Sequence, residues 1–341
     1  MDDRVRGRVM TAAGVTAVAY PNIALVKYWG KRDEQWGLPV TGSLSMTLDC
    51  FPTTTRVAPA PGARADRVII NGQTAEGAAR VRRFLDLVRT LADRPEPAMV
   101  ESVNAGPTAA GLASSAAGFA ALAAAAASAY GLRLDGRALS RLARRGSGSA
   151  CRSVFGGFVQ WHAGTADGPA GDAGSYAEPV PVGAVEPALV VAMTDTGSKA
   201  VPSREAMRRT LATSPLYRAW AESSQDDLCR LRSALRQGDL GTVGEIAEHN
   251  ALGMHATMLA ARPAIRYLSG ASLAVLDQVA SLRAGGVLAY ATIDAGPNVV
   301  VLCARDDAPR VAAALGEVDQ VRSVHVAGPG PGVAIRQGEG R

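Results

Sequence analysis

The chain has 341 residues, 48% of them hydrophobic, with 36 Lys and Arg against 31 Asp and Glu for a formal net charge of +5. The apolar share excludes a disordered chain, and 19 prolines among 37 unphased glycines exclude a collagen-like or Pro-rich one. The length suits about two domains, while so small a charge excess fits an anionic small molecule as well as nucleic acid.

Val15–Tyr20 predicts a short strand, Leu44–Val57 a β-like stretch, and Val68–Asn71 a strand ending in an Asn-Gly turn. Apolar residues at 81, 84, 85, 87, 88 and 91 predict a helix over Ala78–Leu91. From Ser102 to Leu132 no residue is charged, and Ala fills most of Ala120–Ala129. A membrane span is the first suspicion. The Gly, Pro, Ser and Thr of its first half, and the weak apolarity of Ala, argue against a span, and the Ala-rich segment after Ser114 predicts a strong helix by propensity. Met1–Arg8 carries charge with no signal-type apolar core behind it. Four cysteines without a C-x-x-C pair point to a reducing compartment, so a cytoplasmic protein is expected.

Further along, Leu139–Arg145 predicts a short helix, Gly146–Ser149 a turn, Phe155–Trp161 a strand and the Gly-rich Gly164–Ser175 a surface loop. Ala188–Met193 opens the second half as a strand, with a domain boundary expected near residues 175–187. Helical patterns follow at Ser203–Leu211, Pro215–Arg236, Leu240–Leu259 and Ser272–Arg283. Ala289–Ile293 and Asn298–Cys303 read as a strand pair around the turn Asp294-Ala295-Gly296-Pro297. Strands and helices mix without strict alternation, which predicts an α+β fold.

Four stretches carry candidate chemistry. Pro107–Ala116 is rich in small residues that let backbone N–H groups approach an anion at a helix N-terminus, where Ser114 or Ser115 can cap the helix, touch phosphate or help hold magnesium. A capped, tightly packed helix explains the same residues equally well. Asn22–Arg32 sets Lys27, Lys31 and Arg32 beside Tyr28 and Trp29, where partial desolvation strengthens each charge; taken alone, it is a basic loop with two buried aromatics. In Arg145–Ser153, two Ser-Gly steps precede Arg152, whose guanidinium can fork onto a carboxylate or phosphate. Asp294 sits in a turn, the usual setting for a local Asx hydrogen bond, and Ser198-Lys199 with Ser203-Arg204 form another anion-gripping cluster. His162, His249, His255 and His325 show no metal spacing.

Together these stretches, with Met207, Trp220 and Met254-His255-Ala256-Thr257, resemble the diphosphomevalonate decarboxylase family from about Ala17 to Val301. That family lies in the kinase superfamily that also holds galactokinase, homoserine kinase and mevalonate kinase. The resemblance implies two α+β domains with the active-site cleft between them: 1–184 as an ATP- and phosphate-binding domain, and 185–341 contributing Ser203, Arg204 and Asp294. It implies ATP-driven decarboxylation of 5-diphosphomevalonate to isopentenyl diphosphate, with magnesium between the phosphates and a homodimeric enzyme that needs neither nucleic acid nor membrane. Asp294 would serve the 3-hydroxyl as base or orienting group, and Arg152 would hold the substrate carboxylate and orient Asp294. Lys27 and Asn22 would order the region of the transferring phosphoryl group. Tyr28, Lys31, Ser147, Ser149, Ser203 and Arg204 would grip the diphosphate. Pro107, Ala110, Gly111, Ser114, Ser115 and Lys199 would serve ATP, with Ser115 near the metal. Relatives usually carry an Asn where this chain has Thr41 or its neighbour Gly42. A 5-phosphomevalonate decarboxylase, a mevalonate 3-kinase and a non-enzymatic anion- or nucleic-acid-binding module are the other readings.

Overall fold

The computed structural model describes residues 14–75, 78–106, 114–194 and 200–336. The first half opens with strands β1 (Val15–Ala19), β2 (Asn22–Val26), β3 (Lys31–Asp33), β4 (Leu38–Pro39) and β5 (Ser43–Thr47). Then come β6 (Thr53–Pro59), β7 (Arg67–Ile70), β8 (Gln73–Thr74), helix α1 (Ala79–Ala92) and β9 (Ala98–Asn104). Helices α2 (Ser114–Ala129) and α3 (Gly136–Gly146) lead into a 3-10 segment, Gly148–Val154, followed by β10 (Phe158–Trp161), α4 (Gly168–Gly174) and β11 (Ala177–Pro179). The second half contains β12 (Pro187–Met193), α5 (Ser203–Thr213), α6 (Tyr217–Gln237), α7 (Leu240–Leu259) and α8 (Gly270–Ala284). It closes with β13 (Ala289–Ile293), β14 (Val299–Ala304), α9 (Ala308–Gly316), β15 (Ser323–Ala327) and β16 (Ala334–Arg336).

The strands form sheets ordered β16-β1-β6-β9-β7-β8, β11-β10-β5-β2 and β13-β14-β12-β15, with β3-β4 as a separate pair. The fold is α+β as expected, and among the described residues only β7 and β9 pair in parallel. At the Asn-Gly turn, Asn71 (φ 51°) and Gly72 (φ 79°) both adopt positive φ, as a tight two-residue hairpin needs. The chain's last strand departs from the expected 1–184 and 185–341 division. β16 returns to pair with β1, so residues 334–336 sit in the first sheet.

Two other expectations change. Leu44–Val57 is not one β stretch but two strands in different sheets, broken around Phe51 (φ 58°) and Pro52, where a proline cannot donate to a ladder. The Gly164–Ser175 segment is not a plain surface loop. It carries α4, whose Asp172 is 9% exposed and accepts from Arg141 and the fully buried Arg144. Small residues there hide a buried ion pair that leaves no apolar pattern in the sequence.

Helix α2 packs on β1 and β6, and none of residues 120–127 is more than 4% exposed. Ala methyl groups permit that close approach, so the uncharged stretch is core; no helix of the described residues is long and apolar enough to cross a membrane. A second core joins the halves: Leu25 and Met46 of the first pack with Leu189, Leu231, Leu235 and Ile246 of the second.

Candidate active site

A cavity of about 380 Å³ draws its walls from both halves: Ala24, Lys27, Tyr28, Trp29, Lys31, Arg80, Ser115, Ser147, Gly148, Ser149 and Arg152 on one side, and Pro202, Ser203, Arg204, Met207, Met254, Asp294 and Ala295 on the other. Asp294 follows directly on β13 and meets Lys27, at the end of β2, with Nζ 2.6 Å from Oδ1. The lysine side chain is 2% exposed and that of Asp294 37%, so the carboxylate faces the cavity while the ammonium is sunk behind it. Lys27 Nζ also donates to the Ala24 carbonyl (2.9 Å). Burial lowers the lysine pKa, and Asp294 opposes that shift.

Helix α7 braces both partners from behind. Asn250 Oδ1 accepts the Lys27 backbone N–H at 2.8 Å, and its amide donates to Ser224 and to the buried Asp227 carboxylate. One and a half turns on, His255 Nε2 lies 3.3 Å from the carbonyl of Ile293, the residue before Asp294. Burial, reinforced by Lys27, pulls the imidazole down to about 4. It is therefore neutral at pH 7, and this contact is a hydrogen bond in the tautomer with the proton on Nε2.

Arg152 leaves the 3-10 segment into the interior and is 2% exposed. Its Nε donates to Asn22 Oδ1 (3.1 Å) and Ser45 Oγ (3.0 Å), and Nη1 to Ser43 Oγ (2.5 Å). Asn22 is buried behind the cavity, where its amide donates to Ser153 Oγ and the Ser149 carbonyl. All of these acceptors are neutral, so the guanidinium keeps its charge for a ligand; burial lowers its pKa, and Cys151 and then Asp294 oppose the shift. Nearby Thr41 is 2% exposed with its hydroxyl unpartnered among the described residues.

A third wall suits an anion. Tyr28 lies against Trp161 (ring centroids 4.7 Å apart), and its buried hydroxyl has no partner among the described residues. Gly148 makes room for that phenol, since a Cβ there would lie 2.8 Å from the Tyr28 oxygen. Gly30 turns the chain at φ +107°, and Tyr217 fills the space beside it, donating to the Trp29 carbonyl at 2.6 Å. Lys31, Ser147, Ser149, Ser203, Arg204 and Ser115 complete the lining. Ser115 Oγ is 3.4 Å from Ser147 Oγ.

The expected site residues thus converge on one cavity, except that Asn22 supports it from behind. Pro107, Ala110, Gly111 and Lys199 lie outside the described residues, as does the side chain of Ser114. Sequence reasoning missed Arg80, Asn250 and the role of His255. Arg80 donates to the Gly146 carbonyl and lies 4.3 Å over the Phe119 ring. It sits one turn before Phe84, so the apolar face of α1 gave its place but not its purpose. Among the described residues no group of three His, Cys, Asp or Glu could hold a metal.

A carboxylate paired with a buried lysine, a buried arginine without an acidic hydrogen-bond partner, and a basic wall that carries the unpartnered Tyr28 hydroxyl can position a hydroxyl-bearing polyanion for phosphoryl transfer. Residues 19–177 match the Diphosphomevalonate decarboxylase-like N-terminal domain, and residues 189–326 match the Mevalonate 5-diphosphate decarboxylase C-terminal domain. The Homo sapiens diphosphomevalonate decarboxylase is 38% identical over 326 residues, covering 89% of this chain and 80% of that protein. Mevalonate diphosphate decarboxylase from Staphylococcus aureus superposes with a TM-score of 0.90 at 37% identity, covering 95% of this chain and 98% of the other. The complex of MDDEF with MVAPP, AMPPCP and magnesium gives 0.89 at 43% identity, with 95% and 99% covered. On its sequence and fold, the chain belongs to the diphosphomevalonate decarboxylase family of the galactokinase, homoserine kinase and mevalonate kinase superfamily.

Proposed function

We propose that the protein catalyses ATP-dependent decarboxylation of (R)-5-diphosphomevalonate to isopentenyl diphosphate, with ADP, phosphate and carbon dioxide released. The observation that carries this reading is the Lys27–Asp294 pair at 2.6 Å, sharing one cavity with the buried Arg152. A β-hydroxy carboxylate does not expel hydroxide. Phosphorylating the tertiary 3-hydroxyl creates a leaving group, and as it departs the electron pair of the breaking C–CO2 bond forms the new double bond.

Asp294 orients the hydroxyl and accepts its proton as the γ-phosphoryl group arrives. Lys27 holds that carboxylate in place and adds positive charge beside the transferring group. Arg152 binds the substrate carboxylate; with its Nε fixed by Asn22 and Ser45, its reach is set before substrate arrives. Asn22 acts through this seat. Tyr28, Lys31, Ser147, Ser149, Ser203 and Arg204 take the diphosphate, and we add Arg80 to them. The orphaned Tyr28 hydroxyl is the group that most needs such an acceptor.

Pro107, Ala110, Gly111, Ser114, Ser115 and Lys199 are assigned to ATP. The Ser115 hydroxyl stands at the cavity wall in the first turn of a 16-residue helix, where free N–H groups and the dipole favour phosphate. Magnesium supplies charge neutralisation on the phosphates when bound, and Ser115 is the described residue that would face it. The proposal extends to a cytoplasmic homodimer acting on a small molecule, without nucleic acid or membrane; four free thiols suit a reducing compartment.

The test is release of carbon dioxide from 5-diphosphomevalonate beside 5-phosphomevalonate, with and without ATP. Release that depends on ATP and strongly prefers the diphosphate is expected. Phosphorylated product without carbon dioxide would mean a 3-kinase, and preference for the monophosphate a sister decarboxylase.

A further inference from the structure

A second chamber of about 460 Å³ adjoins the anion wall and shares Lys31, Arg80, Gly148 and Arg204 with it. Its remaining walls bring in Arg83 of α1, Arg144 and Arg145 of α3, and Arg208 of α5, against one carboxylate, Glu34. That carboxylate is already engaged, accepting from Arg208 at 2.9 and 3.1 Å. Arg144 is likewise held by Asp172. Arg83, Arg145 and Arg204 have no carboxylate partner among the described residues. Arg145 instead lies 4.3 Å over the Trp36 ring, a stack that fixes a guanidinium at the chamber without neutralising it. The crowding is electrostatically felt: after burial, Arg204 and then Arg83 lower the Arg80 pKa, to about 10.

Lys31, Arg80 and Arg204 are accounted for by the inner wall. Arg83 and Arg145 are not, and nothing in the catalytic assignment uses them. Uncompensated guanidiniums converging on one open chamber repel one another, and a planar fork of N–H donors is matched by phosphate oxygens. We propose that this chamber is an outer site for a diphosphate group, with Arg83 and Arg145 capturing the anion before Lys31, Arg80 and Arg204 draw it into the cavity. The inference rests on the decarboxylase reading for the identity of the anion's carrier, and its chemistry is shared by the substrate's diphosphate and free inorganic diphosphate.

Arg83 is exposed and outside the catalytic set, so Arg83→Glu, Arg83→Gln and Arg83→Lys test the site in the full-length protein. Arg64→Glu, which does not line the chamber, makes the same change in net charge. The first arm titrates inorganic diphosphate calorimetrically in magnesium-free buffer. Arg83→Glu should weaken binding about tenfold at 20 mM salt and only about twofold at 300 mM, where the Debye length has dropped below about 8 Å. Arg83→Gln should fall between, and Arg83→Lys should restore most of the affinity. The second arm follows turnover: the same variants should raise KM for 5-diphosphomevalonate by similar factors and leave kcat and the KM for ATP unchanged.

Weaker inorganic diphosphate binding with an unchanged substrate KM would support the site and assign it to free diphosphate. Arg83→Glu indistinguishable from Arg64→Glu in both arms at low salt would overturn it. Absence of turnover in the parent enzyme, with the calorimetric effect intact, would refute the decarboxylase reading and leave the diphosphate site standing.

Discussion

His255 offers the sharpest test of how the Lys27–Asp294 pair is held. It is 3% exposed, 3.3 Å from the Ile293 carbonyl, and its pKa drops from 6.5 to about 4. In the unfolded chain the imidazole titrates at its ordinary value. Between pH 6.5 and 4 the unfolded state therefore binds a proton that the folded state refuses, and stability falls as pH falls. At 1.36 kcal/mol per pKa unit, the gap amounts to about 3 kcal/mol once fully expressed below pH 4, and to about 2 kcal/mol at pH 5. His255→Gln removes the titration and keeps a side-chain N–H for the Ile293 carbonyl. Urea unfolding at pH 7.5 and 5.0 reads the difference: the parent should lose about 2 kcal/mol more than His255→Gln over that interval. Parallel losses would show that the imidazole is protonated in the folded protein and that it does not brace Ile293 as a neutral donor. His255→Gln should retain most of kcat, whereas His255→Leu, which has no donor, should lower kcat with little change in KM.

Asp294→Asn keeps an acceptor for Lys27 but not a base, so turnover should fall by about 10³-fold or more with thermal unfolding little changed; near-parental activity in Asp294→Ala would refute the assigned role. Arg152→Ala should likewise abolish carbon dioxide release, and a variant that still decarboxylates would show that this guanidinium does not hold the substrate carboxylate. Asn250→Ala leaves the Lys27 N–H and the Asp227 carboxylate without their partner, so denaturant unfolding should show a loss of about 3 kcal/mol. Gly148→Ala drives a methyl group to within 3 Å of the Tyr28 phenol, and KM for the diphosphate substrate should rise about tenfold, with kcat less affected.

What could be read from sequence followed the physics of repetition. Helix α7 matches its expected span because its apolar residues recur at helical spacing over twenty positions, and β13 does so because a short run of small, aromatic and β-branched residues ends at a turn. Motif density found most of the cavity, since Lys27, Tyr28 and Lys31 lie within five residues and Ser147, Ser149 and Arg152 within six. Residues acting singly through tertiary contact stayed hidden. Asn250 is one polar residue on a buried helix face, and its partner Lys27 is 223 positions away. Arg144 pairs with Asp172 across a Gly-rich stretch whose composition mimics solvent-exposed loop, and β16 is three exposed residues that gain meaning only beside β1.

The core that joins the halves also bears on how a ligand can be enclosed. A hinge rotation that parted the halves would expose Leu25, Met46, Leu189, Leu231 and Leu235, at about 1.5–3 kcal/mol for each side chain withdrawn from apolar contact. That total is comparable to the whole stability of an ordinary domain. Wholesale rotation is thus too costly to accompany each turnover. Helix α5 is bound by much less: Ala206 and Thr210 are its only buried residues, and Ser203 and Arg204 project from its first turn into the cavity wall. Elements with so few buried contacts are the ones that move at low cost. Motion at low cost is therefore open to α5 and its Ser203-Arg204 pair, while Lys27 and Arg152 sit in buried seats formed before any ligand arrives.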